Sequence, residues 1–163
     1  MSRIAVTRLG SHFGLMPVDA GLEFDLAWFD RVAWEANGAR RHTSTGRAPV
    51  LICQMNGHSW VLRHYSRGGL VARFVEDHYV WRGIEATRAW RELDILGRMQ
   101  EWKLPAPQPV AALVTKSGLV YQADIITVYI PETRALSALL RSDSVSDPLW
   151  RRIGEVLGAF HAR

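Results

Sequence analysis

At 163 residues, 48% hydrophobic and 22% charged, the chain has the size and balance of one globular domain with a short extension. No stretch supplies the roughly 18 uninterrupted apolar residues of a membrane span, and Arg3 is not followed by the apolar run of a signal peptide, so the expected compartment is the cytoplasm. The single cysteine, Cys53, rules out an internal disulfide or a cysteine-based metal cluster. The net charge of +4 and the pI of 9.7 rest almost wholly on arginine, since Lys103 and Lys116 are the only lysines. Such a charge suits an anionic membrane surface, a phosphorylated substrate or nucleic acid without choosing among them.

Residues 1–27 contain Gly10, Gly14, Pro17 and Gly21, which break any long period and predict a loosely ordered N-terminal segment. Trp28, Phe29, Val32 and Trp34 form an apolar patch, read as a helical turn or an extended piece packing on the body, and Asn37-Gly38 is a turn signal. Thr43-Ser44-Thr45-Gly46-Arg47 reads as a small polar loop. The apolar runs 50–55 and 60–62 flank Asn56-Gly57, a strong hairpin signal, with His58 and Ser59 leaving the turn length open. Leu51, Ile52 and Met55 around Cys53 predict an inert, buried thiol.

After Gly68-Gly69, the residues Leu70, Val71, Phe74, Val75, Tyr79 and Val80 are spaced by threes and fours, which predicts an amphipathic helix. Ala86, Ala89, Trp90, Leu93, Leu96 and Met99 predict a second, stopped by Pro105, Pro107 and Pro109. Residues 110–114 and 119–130 read as strands around Lys116-Ser117-Gly118, the second ended by Pro131. Leu136, Leu139 and Leu140 suggest a short helix. Asp147 is a cap for a last helix with Pro148 at its first position and a buried stripe of Trp150, Ile153, Val156, Leu157 and Phe160. The order predicts an α+β fold with a mostly antiparallel sheet.

Two residues in this order carry chemistry. Arg63 lies in an apolar strand, and Glu92 lies on the helix that follows. Singly, Arg63 reads as a surface cation and Glu92 as an ordinary helix partner of Arg88, four residues earlier. Together they match the arrangement in which a kinase small lobe contacts nucleotide phosphates through a strand cation oriented by a helix carboxylate. Alternation places Val61, Arg63 and Tyr65 on one strand face, and the helix stripe turns Glu92 toward that sheet, so the two side chains are expected in direct or one-water contact. The six histidines show no metal-ligand spacing, and His64 is expected to face away from Arg63. Trp81, Trp90 and Trp102 stand near arginines, where base stacking competes with a plain core role.

Several segments extend the pattern: Trp60-Val61-Leu62-Arg63-His64-Tyr65, Arg67-Gly68-Gly69-Leu70-Val71-Ala72-Arg73, Thr87-Arg88-Ala89-Trp90-Arg91-Glu92, Leu104-Pro105-Ala106-Pro107-Gln108-Pro109 and Phe160-His161. In these the chain resembles the 3-deoxy-D-manno-octulosonic acid (Kdo) kinases, a lipopolysaccharide kinase family with a protein-kinase-like fold, from about Trp28 to the last residue. The resemblance implies ATP- and Mg2+-dependent phosphorylation of the Kdo sugar of Kdo–lipid A, in lipopolysaccharide core assembly. It also implies peripheral contact with the cytoplasmic face of a bacterial inner membrane, with no nucleic-acid partner. By position, Arg63 and Glu92 would be the phosphate-contacting pair, and Thr45, Gly46, Arg47 and Ala48 the phosphate-covering loop. Arg67, Gly68 and Gly69 would be a signature serving substrate contact or a tight turn.

The implied division is an N-terminal extension over 1–40, a kinase-like small lobe over 41–130, and a hinge with the start of a second lobe over 131–163. Ala48-Pro49 departs from the family where a second glycine is expected, and Val128-Tyr129 where an acidic and a basic residue are expected. The catalytic loop, with its base and metal ligands, is expected beyond Arg163, so no catalytic or metal residue is expected in this chain, and the chain alone is expected to be inactive. The competing readings are a non-enzymatic kinase-like module binding nucleotide, lipid A or a protein, and a basic nucleic-acid-binding domain.

Overall fold

The computed structural model describes residues 4–42, 49–55, 57–66, 77–142 and 145–163. Its centre is an eight-stranded sheet in which every pairing is antiparallel. The strands are β1 (Ile4–Leu9), β2 (His12–Pro17), β3 (Arg40–His42), β4 (Val50–Met55), β5 (His58–His64), β6 (Tyr79–Val80), β7 (Pro109–Ser117) and β8 (Val120–Val128). They lie in the order β1-β2-β7-β8-β5-β4-β3, with β6 beside the start of β8. The helices are α1 (Arg31–Ala36), α2 (Arg88–Glu101), α3 (Leu136–Arg141) and α4 (Asp147–His161). The α+β fold and antiparallel sheet read from the sequence are both present.

The N-terminal residues are not loosely ordered. They form the hairpin β1–β2, which joins the sheet along β7. Gly10 is not a breaker but the turn, at φ +63°, where a side chain would be strained. Gly14 lacks a Cβ for a different reason: one built there would stand 2.5 Å from the Phe24 ring.

Each sheet face carries its own core. On one face a 3-10 turn (Leu26–Phe29) and α1 place Trp28, Phe29 and Trp34 over Leu51, Cys53, Trp60, Leu62 and Leu113. Trp34 is fully buried, and its Nε1–H donates to the Trp28 carbonyl at 2.7 Å. On the other face α2 lays Ala89, Leu93 and Leu96 over Ala112, Val114, Ala123 and Ile125. A bulge between Pro109 and Ala111 resets the alternation of β7, so Val110 and Ala111 both join the first core.

The β4–β5 loop has two residues, since Met55 pairs with His58, and Gly57 takes φ +77°. Tyr79 and Val80 are not helical; they pair with Tyr121 and Val120. The proposed helix over 70–76 lies outside the described residues. α2 ends before the prolines, through Lys103 at φ +55°, with Leu104 N–H closing on the Met99 carbonyl at 2.9 Å. Ser146 rather than Asp147 holds the N-cap position of α4, without a side-chain capping bond, and Asp147 sits in the first turn. Its expected buried stripe is not buried: Trp150 is 45% and Leu157 55% exposed. The periodicity is present, but no described element covers it.

Candidate functional site

Alternation along β5 sends Trp60 and Leu62 into the first core and Tyr65 into the second, beneath α2. Arg63 shares the face of Tyr65. On α2, Ala89, Leu93 and Leu96 seat the helix and leave Glu92 at the margin of the interface. The helix start is held firmly. The buried Thr87 hydroxyl donates to the Ile84 carbonyl at 2.6 Å and accepts from Trp90 N–H at 3.3 Å, while Arg88 N–H donates to the Tyr121 hydroxyl at 2.9 Å.

Glu92 bridges two residues of β5. One carboxylate oxygen forms an ion pair with Arg63 Nη2. The other accepts from the Tyr65 hydroxyl at 2.7 Å. The Arg63 guanidinium carbon also lies 5.2 Å from the centre of the Tyr65 ring. The expected Arg63–Glu92 contact is therefore direct. Arg88, the competing partner for Glu92, turns instead to Tyr79, donating to its hydroxyl at 3.3 Å.

The site divides into a wet side and a dry side. The Arg63 side chain is 42% exposed and that of Glu92 30%, so a solvent ligand reaches them. Tyr65 is buried. Burial, reinforced by the Glu92 charge and hydrogen bond, raises its pKa far above the ordinary value of 10. The phenol therefore stays protonated and remains a donor. Arg63 spends one amino group on Glu92 and also faces the Tyr65 hydroxyl, and a guanidinium carries five N–H donors, so donors remain for ligand oxygens.

His64 faces the opposite way and meets a second charged group. Its Nδ1 lies 2.9 Å from Asp124 and its Nε2 3.2 Å from Asp77, with Arg31 3.5 Å from Asp124. The hydrogen bond with Asp124 raises its pKa above 6.5, against the opposing effect of burial. This cluster ties β5, β8, α1 and the residues leading into β6. Among the described residues no group of three or more His, Cys, Asp or Glu side chains could hold a metal ion.

Thr45, Gly46, Arg47 and Ala48, and Arg67, Gly68 and Gly69, lie outside the described residues. Trp81 is committed to packing: it stacks on Phe13, meets Tyr121 edge-on and lies under Lys116. Trp90 packs, partly buried, against the second core. Sequence reasoning placed Tyr65 on the right face but missed its bond to Glu92; the i, i+2 spacing from Arg63 was the signal. It also missed the two carboxylates flanking His64, Asp124 from β8 and Asp77 from the residues leading into β6, which are distant in sequence and have no local signature.

A strand arginine oriented by a helix carboxylate, on an antiparallel sheet with a helix across one face, defines a protein-kinase-like small lobe. The chain belongs to the lipopolysaccharide kinase (Kdo/WaaP) family, whose family model matches residues 31–163. It is similar to proteins named 3-deoxy-D-manno-octulosonic acid kinase. Identity to that of Vibrio cholerae is 36% over 128 residues, covering 78% of this chain and 54% of the relative. With that of Actinobacillus succinogenes it is 36% over 138 residues, covering 82% and 58%. With that of Haemophilus influenzae it is 33% over 148 residues, covering 88% and 61%. The chain thus spans little more than half the length of the curated relatives it matches. No solved structure matches it.

Proposed function

We propose that this chain forms the nucleotide-holding lobe of an ATP-dependent kinase that phosphorylates a hydroxyl of the Kdo sugar of Kdo–lipid A in lipopolysaccharide core biosynthesis. The observation that carries the reading is Glu92 joining α2 to Arg63 on β5. In phosphoryl transfer the protein contributes chiefly position and charge. Arg63 would offer its fork to phosphate oxygens, and Glu92 would hold that fork while balancing its charge. Bound ATP supplies the transferable phosphoryl group. Magnesium is implied by the family, and among the described residues no group of three or more His, Cys, Asp or Glu forms a ligand set for it.

In this reading residues 41–130 are the nucleotide lobe and 131–163 the hinge and first helices of a second lobe. The loop 45–48 would cover the phosphates, and Arg67 with Gly68 and Gly69 would serve substrate contact or a turn. Work at the cytoplasmic face of the inner membrane, by peripheral contact, belongs to the same proposal.

The test is ATP binding by the chain, followed by competition against a fluorescent ATP analogue, beside Arg63→Ala. Saturable binding weakened about tenfold or more in R63A, with unchanged circular dichroism, is expected from the loss of a charge-assisted contact. Equal binding by both proteins would refute the assignment. For the membrane part, co-sedimentation with vesicles containing Kdo–lipid A should exceed that with neutral phospholipid vesicles.

A further inference from the structure

We infer that Tyr65 is a positioning residue: by donating to one oxygen of Glu92 it fixes the carboxylate so that the other oxygen holds the Arg63 guanidinium in a single plane. This rests on the reading of Arg63 as the phosphate-contacting cation.

The argument begins with the cation itself. A lysine ammonium is a point charge, and its rotation about the last bond changes little. A guanidinium is a flat fork, useful for bidentate contact only when its plane is set. One ion pair does not set it, because the carboxylate can turn about its own terminal bond. Tyr65 removes that freedom twice over. Its hydroxyl takes Glu92 Oε2 at 2.7 Å, and its ring lies 5.2 Å beneath the guanidinium carbon.

Tyr65 is well placed to impose this order. It is 9% exposed, and its backbone N–H is bonded to the Ala123 carbonyl at 3.0 Å, so strand pairing and the second core hold it. The phenol acts on Arg63 through Glu92, and the ring acts on it directly. Its raised pKa keeps it a donor throughout the working pH range.

The experiment follows the Arg63 Nη–H resonances of the full chain by 15N NMR at low temperature, assigned from their loss in Arg63→Ala, because Nη2 makes the bond to Glu92. Tyr65→Phe keeps the ring and removes only the hydroxyl. The Nη2–H should exchange with water about tenfold faster in Y65F than in the unaltered chain, as expected when the carboxylate that accepts its charge-assisted hydrogen bond is no longer fixed. ATP affinity should weaken about tenfold with it. An unchanged Nη2–H exchange rate in folded Y65F overturns the inference. Should Y65F not fold, the Tyr65 ring 13Cζ shift is read in Glu92→Gln instead; a shift equal to that of the unaltered chain overturns the inference. Failure of the phosphate reading looks different: R63A then binds ATP as well as the unaltered chain, whatever Y65F does to Nη2–H.

Discussion

Replacing Glu92 by leucine separates the two halves of its bridge, and the buried half should dominate. The Arg63 side chain is 42% exposed and that of Glu92 30%, so solvent screens their attraction and the ion pair contributes at most about 1 kcal/mol. Once unpaired, Arg63 turns to water. Tyr65 is only 9% exposed, and its hydroxyl would lose its acceptor inside the second core. An unsatisfied buried donor costs about 1–3 kcal/mol. Glu92→Leu should therefore destabilise by about 2–3 kcal/mol, mostly through the tyrosine. Adding Tyr65→Phe removes the orphaned hydroxyl, so the double variant should recover about 1–2 kcal/mol. Urea unfolding, compared at constant m-value, measures all three proteins. Added salt should shrink the small Arg63 share and leave the recovery intact. A double variant no more stable than Glu92→Leu alone would refute the reasoning.

Three further outcomes follow from the packing. His64 has a folded-state pKa raised above 6.5, so its protonated form contributes stability that is complete below about pH 6.5 and is lost as pH rises through the raised value. Urea midpoints of the unaltered chain should fall across that window relative to Asp124→Asn, and parallel curves would contradict the pairing. Gly14→Ala puts a methyl 2.5 Å from the Phe24 ring and should cost about 1–3 kcal/mol by overpacking; a neutral result in thermal unfolding would show that Phe24 moves aside freely. Trp34→Phe loses the bond to the Trp28 carbonyl and part of a fully buried ring, for about 2–3 kcal/mol in urea. An effect below about 0.5 kcal/mol would mean α1 is no part of the core.

What the sequence made legible was local. Arg63 and Glu92 could be paired because strand alternation and helix period each fix a direction within a few residues. The turn at Gly57 followed from local backbone preference, and so did the helix from Arg88 onward. What it hid was set by distant partners. Gly10 looks like a breaker unless β1 is known to pair with β2 across it, and Gly14 unless the Phe24 ring is known to sit against β2. Tyr79 and Val80 keep a helical spacing with the residues before them, yet Val120 and Tyr121 recruit them into the sheet. The stripe of α4 shows that period reveals which face is apolar, not whether anything covers it. At the site, the face of Tyr65 was readable, but its bond to Glu92 was not.

The anchorage of α2 bears on the site. Because α2 carries Glu92, swinging the helix outward would separate it from Arg63. Here the swing is obstructed at its pivot. Thr87 and Tyr121 are 0% and 3% exposed, and displacing the helix start would strand both hydroxyls at about 1–3 kcal/mol each. An outward helix would then be populated at a few per cent or less. The Arg88 amide should accordingly exchange its hydrogen only on global unfolding, and early exchange would reveal a looser pivot. A lobe so fastened keeps Glu92 facing Arg63 in nearly every molecule, so the pair is pre-assembled before any ligand arrives.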